Sequence, residues 1–286
     1  MKGNVSPHVT DNDPMFDGLL AAEVKPLSYA ADDHAAILTS QALKKYLVWA
    51  HNRLKEHPVN QARVAKGKEP LNALLTHHAD TPRPVMTFDK RWGLKALLIS
   101  PKLVQWGLAS VLGMDVCKVK TTGDPGHDLV DRINIARENL PNYDFIHVHT
   151  MAPDEAAHRK NPLVKKKVIE SLDKAIGECV EPLVNDPDVL LAVASDHSTP
   201  SSGPLIHSGE PVPLAVVGTG VRRDGVKRFN EIDCCQGALG FVRGSEFMFL
   251  VVNYLDRSRL VRIIHSPDGQ DGWTGEYEPL DRRAHV

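Results

Sequence analysis

The sequence predicts an α/β protein: a parallel β-sheet flanked by helices, preceded by a smaller α+β subdomain. Three observations carry this. After Gly93, strand-like and helix-like runs alternate. Several strand runs are apolar at every position, the mark of strands covered on both faces. The texture of the chain also changes near residue 92, from scattered Pro, Gly and His to regular periodicity. That change divides the chain into a smaller subdomain, 1–92, and an α/β core, 93–286.

In order along the chain, the first 20 or so residues read as loop, rich in Asp, Asn and Pro. From Asp33 to about Lys55, Ile37, Leu38, Ala42, Leu43, Leu47 and Leu54 recur at helical spacing, and Pro58 limits that helix. Residues 57–92 have weak periodicity. "LKALLIS" (94–100) then reads as a buried strand and "KLVQWGLASVLGM" (102–114) as a helix ending near Gly113. "DFIHVHT" (144–150) is a strand. The clearest helix is 161–184, with Asn161 as cap and Pro162 at its first position. Its apolar stripe is Val164, Val168, Leu172, Ile176, Val180 and Leu183. "VLLAVAS" (189–195) and "LAVVG" (214–218) complete the expected parallel sheet.

Composition narrows the function. The 286 residues are 42% hydrophobic and 24% charged, enough for a sizeable core. A net charge of −2 gives no broad electrostatic reason to bind nucleic acid or an anionic membrane. The basic run Lys165-Lys166-Lys167 reads as a solvated helix face. Cys117, Cys179, Cys234 and Cys235 include no C-x-x-C pair, which argues against a thiolate zinc site and fits a reducing cytoplasm. The opening "MKGNVSPHVTDNDP" lacks the apolar stretch of a signal peptide, and no apolar run is long enough to span a bilayer. The expectation is a cytoplasmic protein.

The chemistry lies at the ends of strands, where open α/β sheets collect function. After "DFIHVHT" comes "MAPDEAAH", with Asp154 and His158 four apart and so on one face of a helical turn. After "VLLAVAS" comes "SDHSTP", with adjacent Asp196 and His197, and then His207. Each group alone also fits a capped turn or a polar loop. Together, two carboxylates and three imidazoles after two strands expected to be neighbours suit divalent ions that prefer oxygen and nitrogen. Mn²⁺, Zn²⁺, Fe²⁺ and Mg²⁺-like ions all suit such a donor set. Five ligands exceed the need of one catalytic ion, and paired ions serve phosphoryl displacement.

"HVHTMAPDEAAH…KVIESLDKAIG" followed by "SDHSTP…HSGEPVPLAVVG" resembles the cofactor-independent phosphoglycerate mutases of the archaeal type, in the alkaline phosphatase superfamily. "VTDNDP" (9–14), "HPVNQAR" (57–63) and "GLKALLIS" (93–100) add to the likeness. The resemblance implies that Asp154, His158 and His207 hold one ion and Asp196 and His197 the other. It implies phosphoryl exchange between the 3- and 2-hydroxyls of glycerate through a phosphoserine. The smaller subdomain would cap a small phosphorylated substrate. Arg63 and Lys102 would clamp phosphate or carboxylate. Asp11 and Asp13 would contact substrate hydroxyls, or else cap a turn.

The sequence departs from that family at "LLTHHADTPRP" (74–84), where members tend to be rich in glycine and arginine, and above all at its start. Members open with a strand ending in an Asp-Gly pair that ligates the second ion, and a nucleophilic serine follows. Here the chain starts almost at the segment matching "VTDNDP". The resemblance therefore implies an alkaline-phosphatase-like sheet incomplete at its N-terminal strands, a second ion site with two ligands, and no catalytic nucleophile. Three readings follow: a mutase portion that works with an N-terminal part supplied by a partner fragment or chain, a relative that binds metal and a phospho-ligand without turnover, or a metal-dependent phosphohydrolase that needs no serine. A non-enzymatic interaction protein with incidental histidines is the alternative from another class.

Overall fold

The computed structural model describes residues 3–14, 18–81 and 83–258. The polar tail from Ser266 to Val286, expected to pack on a partner or remain partly unstructured, lies outside them. The chain divides into two compact units, Met1–Pro84 and Val85–Val286. The expected boundary at 92/93 falls a few residues later, so "FDKRW" groups with the second unit.

In the first unit, helix α1 (His34–Lys55) begins where Asp33 accepts from the Ala35 N–H at 2.9 Å. Its buried face consists of Ala36, Thr39, Ser40 and Ala50, while Leu38 of the expected stripe is exposed along with Tyr46, Val48 and Trp49. Helix α2 (Pro58–Val64) starts with Pro58 in its first turn and the His57 side chain as cap. Among the described residues the β content of this unit is one isolated antiparallel bridge, Val9–Pro26, less than an α+β subdomain implies. Buried Asn12 holds its loops together. It donates to the Leu74 carbonyl and accepts from both the N–H and the hydroxyl of Thr76.

The second unit runs α3 (Phe88–Trp92), β1 (Ala96–Ser100), α4 (Leu103–Val111), β2 (Asp115–Lys118), α5 (Pro125–Asn139), β3 (Phe145–Val148), α6 (Ala152–His158), α7 (Pro162–Cys179), α8 (Glu181–Val184), β4 (Leu191–Ala194), β5 (Leu214–Val217), α9 (Glu231–Cys234) and α10 (Phe247–Tyr254). Strands β2, β1 and β3 form a parallel sheet in that order, with Leu98 opposite both Val116 and His147. All five residues of central β1 are buried, as its apolar run predicts. Neither β2 nor α5 is evident from periodicity. Yet α5 carries a clear start: the Asp124 carboxylate accepts from the Gly126 and His127 N–H groups, and Pro125 occupies the first turn.

Helices α5 and α7 make the main core, with Leu129, Ile133, Leu172, Ala175, Cys179 and Leu183 buried together. A β-carbon at Gly126 would sit 2.5 Å from the Ser171 Oγ, so glycine is what allows this close approach. The predicted cap is present: the Asn161 side chain accepts from the Leu163 and Val164 N–H groups. The helix expected over 161–184 breaks at Val180 into α7 and α8, where Pro182 in the first turn of α8 offers no N–H to continue the ladder.

One correction concerns the last two strands. β4 and β5 pair antiparallel with each other, from Leu191–Val217 to Ala194–Leu214, instead of joining the parallel sheet. The physical reason is the connection. A parallel return needs a crossover, usually a helix, and residues 195–213 contain none. β3 and β4, expected as neighbours, therefore belong to different sheets among the described residues. No described helix is long and apolar enough to cross a membrane.

Candidate metal centre

Two loops supply the candidate ligands. α6 begins directly after β3, with Pro153 in its first turn, and four-residue spacing stacks His158 over Asp154. The His158 Nε2 lies 3.3 Å from the Asp154 Oδ1. After β4 the chain doubles back: the Ser208 N–H donates to the Ser198 carbonyl at 3.1 Å, and Glu210 accepts from the hydroxyls of both serines. That fold-back brings His197 and His207, ten residues apart, to a ring separation of 4.0 Å. Lysines fasten the loop. Lys165 donates to the Thr199 carbonyl at 2.7 Å, and Lys160 to the carbonyls of Pro200 and Leu205. Lys165 thus leaves the solvated face expected for the basic run, whereas Lys166 stays on it, paired with Glu170.

The ligating atoms of Asp154, His197 and His207 all lie within 4.8 Å of one another. The His207 Nε2 is 3.4 Å from the same Asp154 Oδ1 that faces His158. His197 thus lies close to Asp154 and His207 as well as to Asp196, the partner the family resemblance implies for it. Asp196 is the outer member. Its Oδ1 accepts from the His197 N–H at 3.0 Å, and its Oδ2 lies 3.6 Å from the His197 Nε2. The donor set fits a divalent ion. Ligands held about 2.0–2.2 Å from one ion are separated by roughly 3–3.5 Å, which small side-chain rotations from this arrangement reach. Carboxylate oxygen and imidazole nitrogen without sulfur suit Mn²⁺, Zn²⁺, Fe²⁺ or Co²⁺.

The other expected site residues are placed as follows. Lys102, at the start of α4, forms an ion pair with Glu155 of α6, next to Asp154. Arg63, on α2, donates from Nε to the Glu69 carbonyl at 3.0 Å. Asp11 accepts from the His78 N–H at 2.7 Å, and Asp13 meets the His77 Nε2 at 2.7 Å. Ser100, the last residue of β1, is fully buried, and its Oγ accepts from the Lys102 N–H. Its hydroxyl is not presented for nucleophilic attack.

Three residues that motif reading passes over complete the neighbourhood. Thr199, 4% exposed, bridges His197 and Asp154 through its hydroxyl. His149, at the end of β3, is a partly buried imidazole whose Nε2 has no hydrogen-bond partner. Burial lowers its pKa, against an opposing pull from the Asp196 charge. Arg132, 2% exposed on α5, donates from Nη1 to the His149 carbonyl at 3.3 Å and faces the buried Asp128 at 3.6 Å. Burial lowers its pKa and the Asp128 charge opposes that. The signals were available: "HVH" at strand spacing places both imidazoles on one face, and Asp128–Arg132 is a helical four-residue pair.

A parallel α/β sheet with a carboxylate–imidazole cluster drawn from the helix after β3 and the β4–β5 connection marks an enzyme core of the metal-dependent class. The chain belongs to the Metalloenzyme superfamily, whose family model matches residues 22–254. It is 41% identical over 262 residues to the 2,3-bisphosphoglycerate-independent phosphoglycerate mutase 2 of Methanocaldococcus jannaschii, covering 90% of this chain and 58% of that one. The 2,3-bisphosphoglycerate-independent phosphoglycerate mutase of Thermococcus kodakarensis is 34% identical over 253 residues, covering 87% of this chain and 60% of that one. Among solved structures, a Pyrococcus horikoshii protein matches with 29% identity and a TM-score of 0.68, over 84% of this chain and 62% of that one. The cofactor-independent phosphoglycerate mutase of Thermoplasma acidophilum matches with 25% identity and a TM-score of 0.51, over 88% and 60%. These relatives bear out the resemblance read from the two loop motifs. The chain spans about three fifths of the length of the curated relatives it matches.

Proposed function

We propose that this chain carries the ion-binding core and the smaller unit of a phosphoglycerate mutase, an isomerase of glycolysis and gluconeogenesis in the cytoplasm. It would move a phosphoryl group between the 3- and 2-hydroxyls of glycerate. The observation that carries this reading is the convergence of Asp154, His197 and His207 in a chain whose curated relatives are named as such mutases. Asp154, His158, His207, Asp196 and His197 would hold divalent ions, Mn²⁺ first among them, and bound ions would neutralise charge on the phosphoryl group in transit. Arg63, with Asp11 and Asp13, would bind the small phosphorylated substrate from the smaller unit, and Lys102 from the core. The serine that receives the phosphoryl group would come from the part of the relatives' length that this chain does not span, on the same polypeptide or on a partner. Burial of Ser100 supports a nucleophile from elsewhere.

The test is phosphorus NMR of 3-phosphoglycerate with the chain and Mn²⁺, alone and together with a co-expressed segment carrying the remaining mutase sequence. Conversion to 2-phosphoglycerate only with the added segment is the expected result. Turnover by this chain alone would refute the external nucleophile. Release of inorganic phosphate would identify a phosphohydrolase. Metal binding without turnover in either arrangement would identify a ligand-binding relative.

A further inference from the structure

We propose that Thr199 is the positioning residue of this centre, fixing which nitrogen of His197 faces an ion. The argument starts from proton counting. The Thr199 Oγ1 lies 2.7 Å from the Asp154 Oδ1 and 3.1 Å from the His197 Nδ1. An ionised carboxylate only accepts, so the single hydroxyl proton goes to Asp154. The oxygen then has only lone pairs to offer His197, and Nδ1 must be the donor. In the neutral ring this leaves the lone pair on Nε2.

That assignment accounts for the surrounding geometry. The His197 Nε2 lies 3.6 Å from the Asp196 Oδ2, outside ordinary hydrogen-bond distance. With the proton on Nδ1, two acceptors face each other there, and a shared cation satisfies both. One hydroxyl therefore ties the carboxylate of α6 to the imidazole of the β4–β5 loop, with a stated polarity at each end. Thr199 is itself held from behind: it is buried, and its carbonyl accepts from Lys165. A residue that fixes tautomer and ring orientation behind a ligand typically changes metal affinity 10–100-fold when removed.

The proposal rests on the metal-centre reading, and two measurements keep the two apart. The first is titration of metal-free full chain with Mn²⁺ alone, by calorimetry and by the electron paramagnetic resonance of free Mn²⁺. Thr199→Val, similar in volume but without the hydroxyl, is expected to weaken binding about 10–100-fold, and Thr199→Ser to restore it to within about threefold of the parent. The second needs no metal: long-range ¹H–¹⁵N correlation of the His197 ring at pH 7.5. The parent and Thr199→Ser chains should show the proton on Nδ1, and Thr199→Val a shift toward Nε2. A parent chain that binds no Mn²⁺ overturns the metal-centre reading while the ring spectrum still decides the role of Thr199. Unchanged Mn²⁺ affinity in Thr199→Val, or a parent His197 protonated at Nε2 and bare at Nδ1, overturns the proposal.

Discussion

The two units each hold a cluster of aspartate and histidine, and the clusters behave differently. In the first unit the contacts run side by side: Asp13 with the His77 ring, Asp11 with the His78 backbone. In the second, a single oxygen of Asp154 accepts from Thr199 and faces two imidazoles, with a third imidazole close behind. The local sequences, "TDNDP" with "THHAD" against "PDEAAH" with "SDHSTP", contain the same residue types at similar density. What differs is convergence. Several ligands crowded on one point leave lone pairs that an added cation satisfies.

The largest expected effect breaks that contrast directly. Asp154→Ala should weaken Mn²⁺ binding by more than 100-fold, about 3 kcal/mol, in calorimetric titration. Asp13→Ala in the same experiment should leave it within twofold. Equal losses in the two variants would mean that both clusters hold metal.

Next in size is the scaffold of the first cluster. Asn12, between Asp11 and Asp13, is 3% exposed, and its side chain makes three hydrogen bonds across the loops. Asn12→Ala strands buried partners and should cost about 2–3 kcal/mol in denaturant unfolding, with the Mn²⁺ affinity kept. A cost below about 0.5 kcal/mol would show that the clamp does not organise this unit.

His149 sharpens the comparison through pH. Its pKa is lowered in the folded chain, mainly by burial, so the native ring stays neutral where the unfolded ring, near 6.5, takes up a proton. The unfolded state then binds more protons, and the stability of the metal-free chain falls as pH drops below 6.5 toward the folded pKa. The limiting slope from one such group is about 1.4 kcal/mol per pH unit. His149→Asn should flatten that part of the curve; an unchanged slope would assign the loss to other groups.

The smallest effect belongs to the partly exposed Asp13–His77 pair. His77→Ala should change stability by less than about 1 kcal/mol and leave Mn²⁺ binding untouched. A larger change would mean that this pair does more than close a surface loop.

Part of the fold and the candidate ligands were legible because their causes are local. Asn161 and Pro162 announce α7 through orphan N–H groups at a helix start. The unbroken apolar run of β1 announces burial on both faces. Asp154 and His158 announce a shared face through helical spacing. The four-residue β2 and the helix α5 passed unnoticed, the first for its length and the second because its cap, Asp124–Pro125, lies within a Gly- and Thr-rich turn.

Sequence by itself determined the chemical types at the strand ends, oxygen and nitrogen donors without sulfur, and the α/β alternation that carries them to loops. Tertiary structure decided which donors meet. The antiparallel return of β5, the lysine-fastened loop and the hydroxyl of Thr199 bring His197 close to Asp154 and His207 as well as to Asp196. The reason is physical: spacing along a chain sets direction only within a helical turn or a strand. Over the ten residues from His197 to His207, and the forty-odd from Asp154 to His197, direction is set by hydrogen bonds to residues far away in sequence.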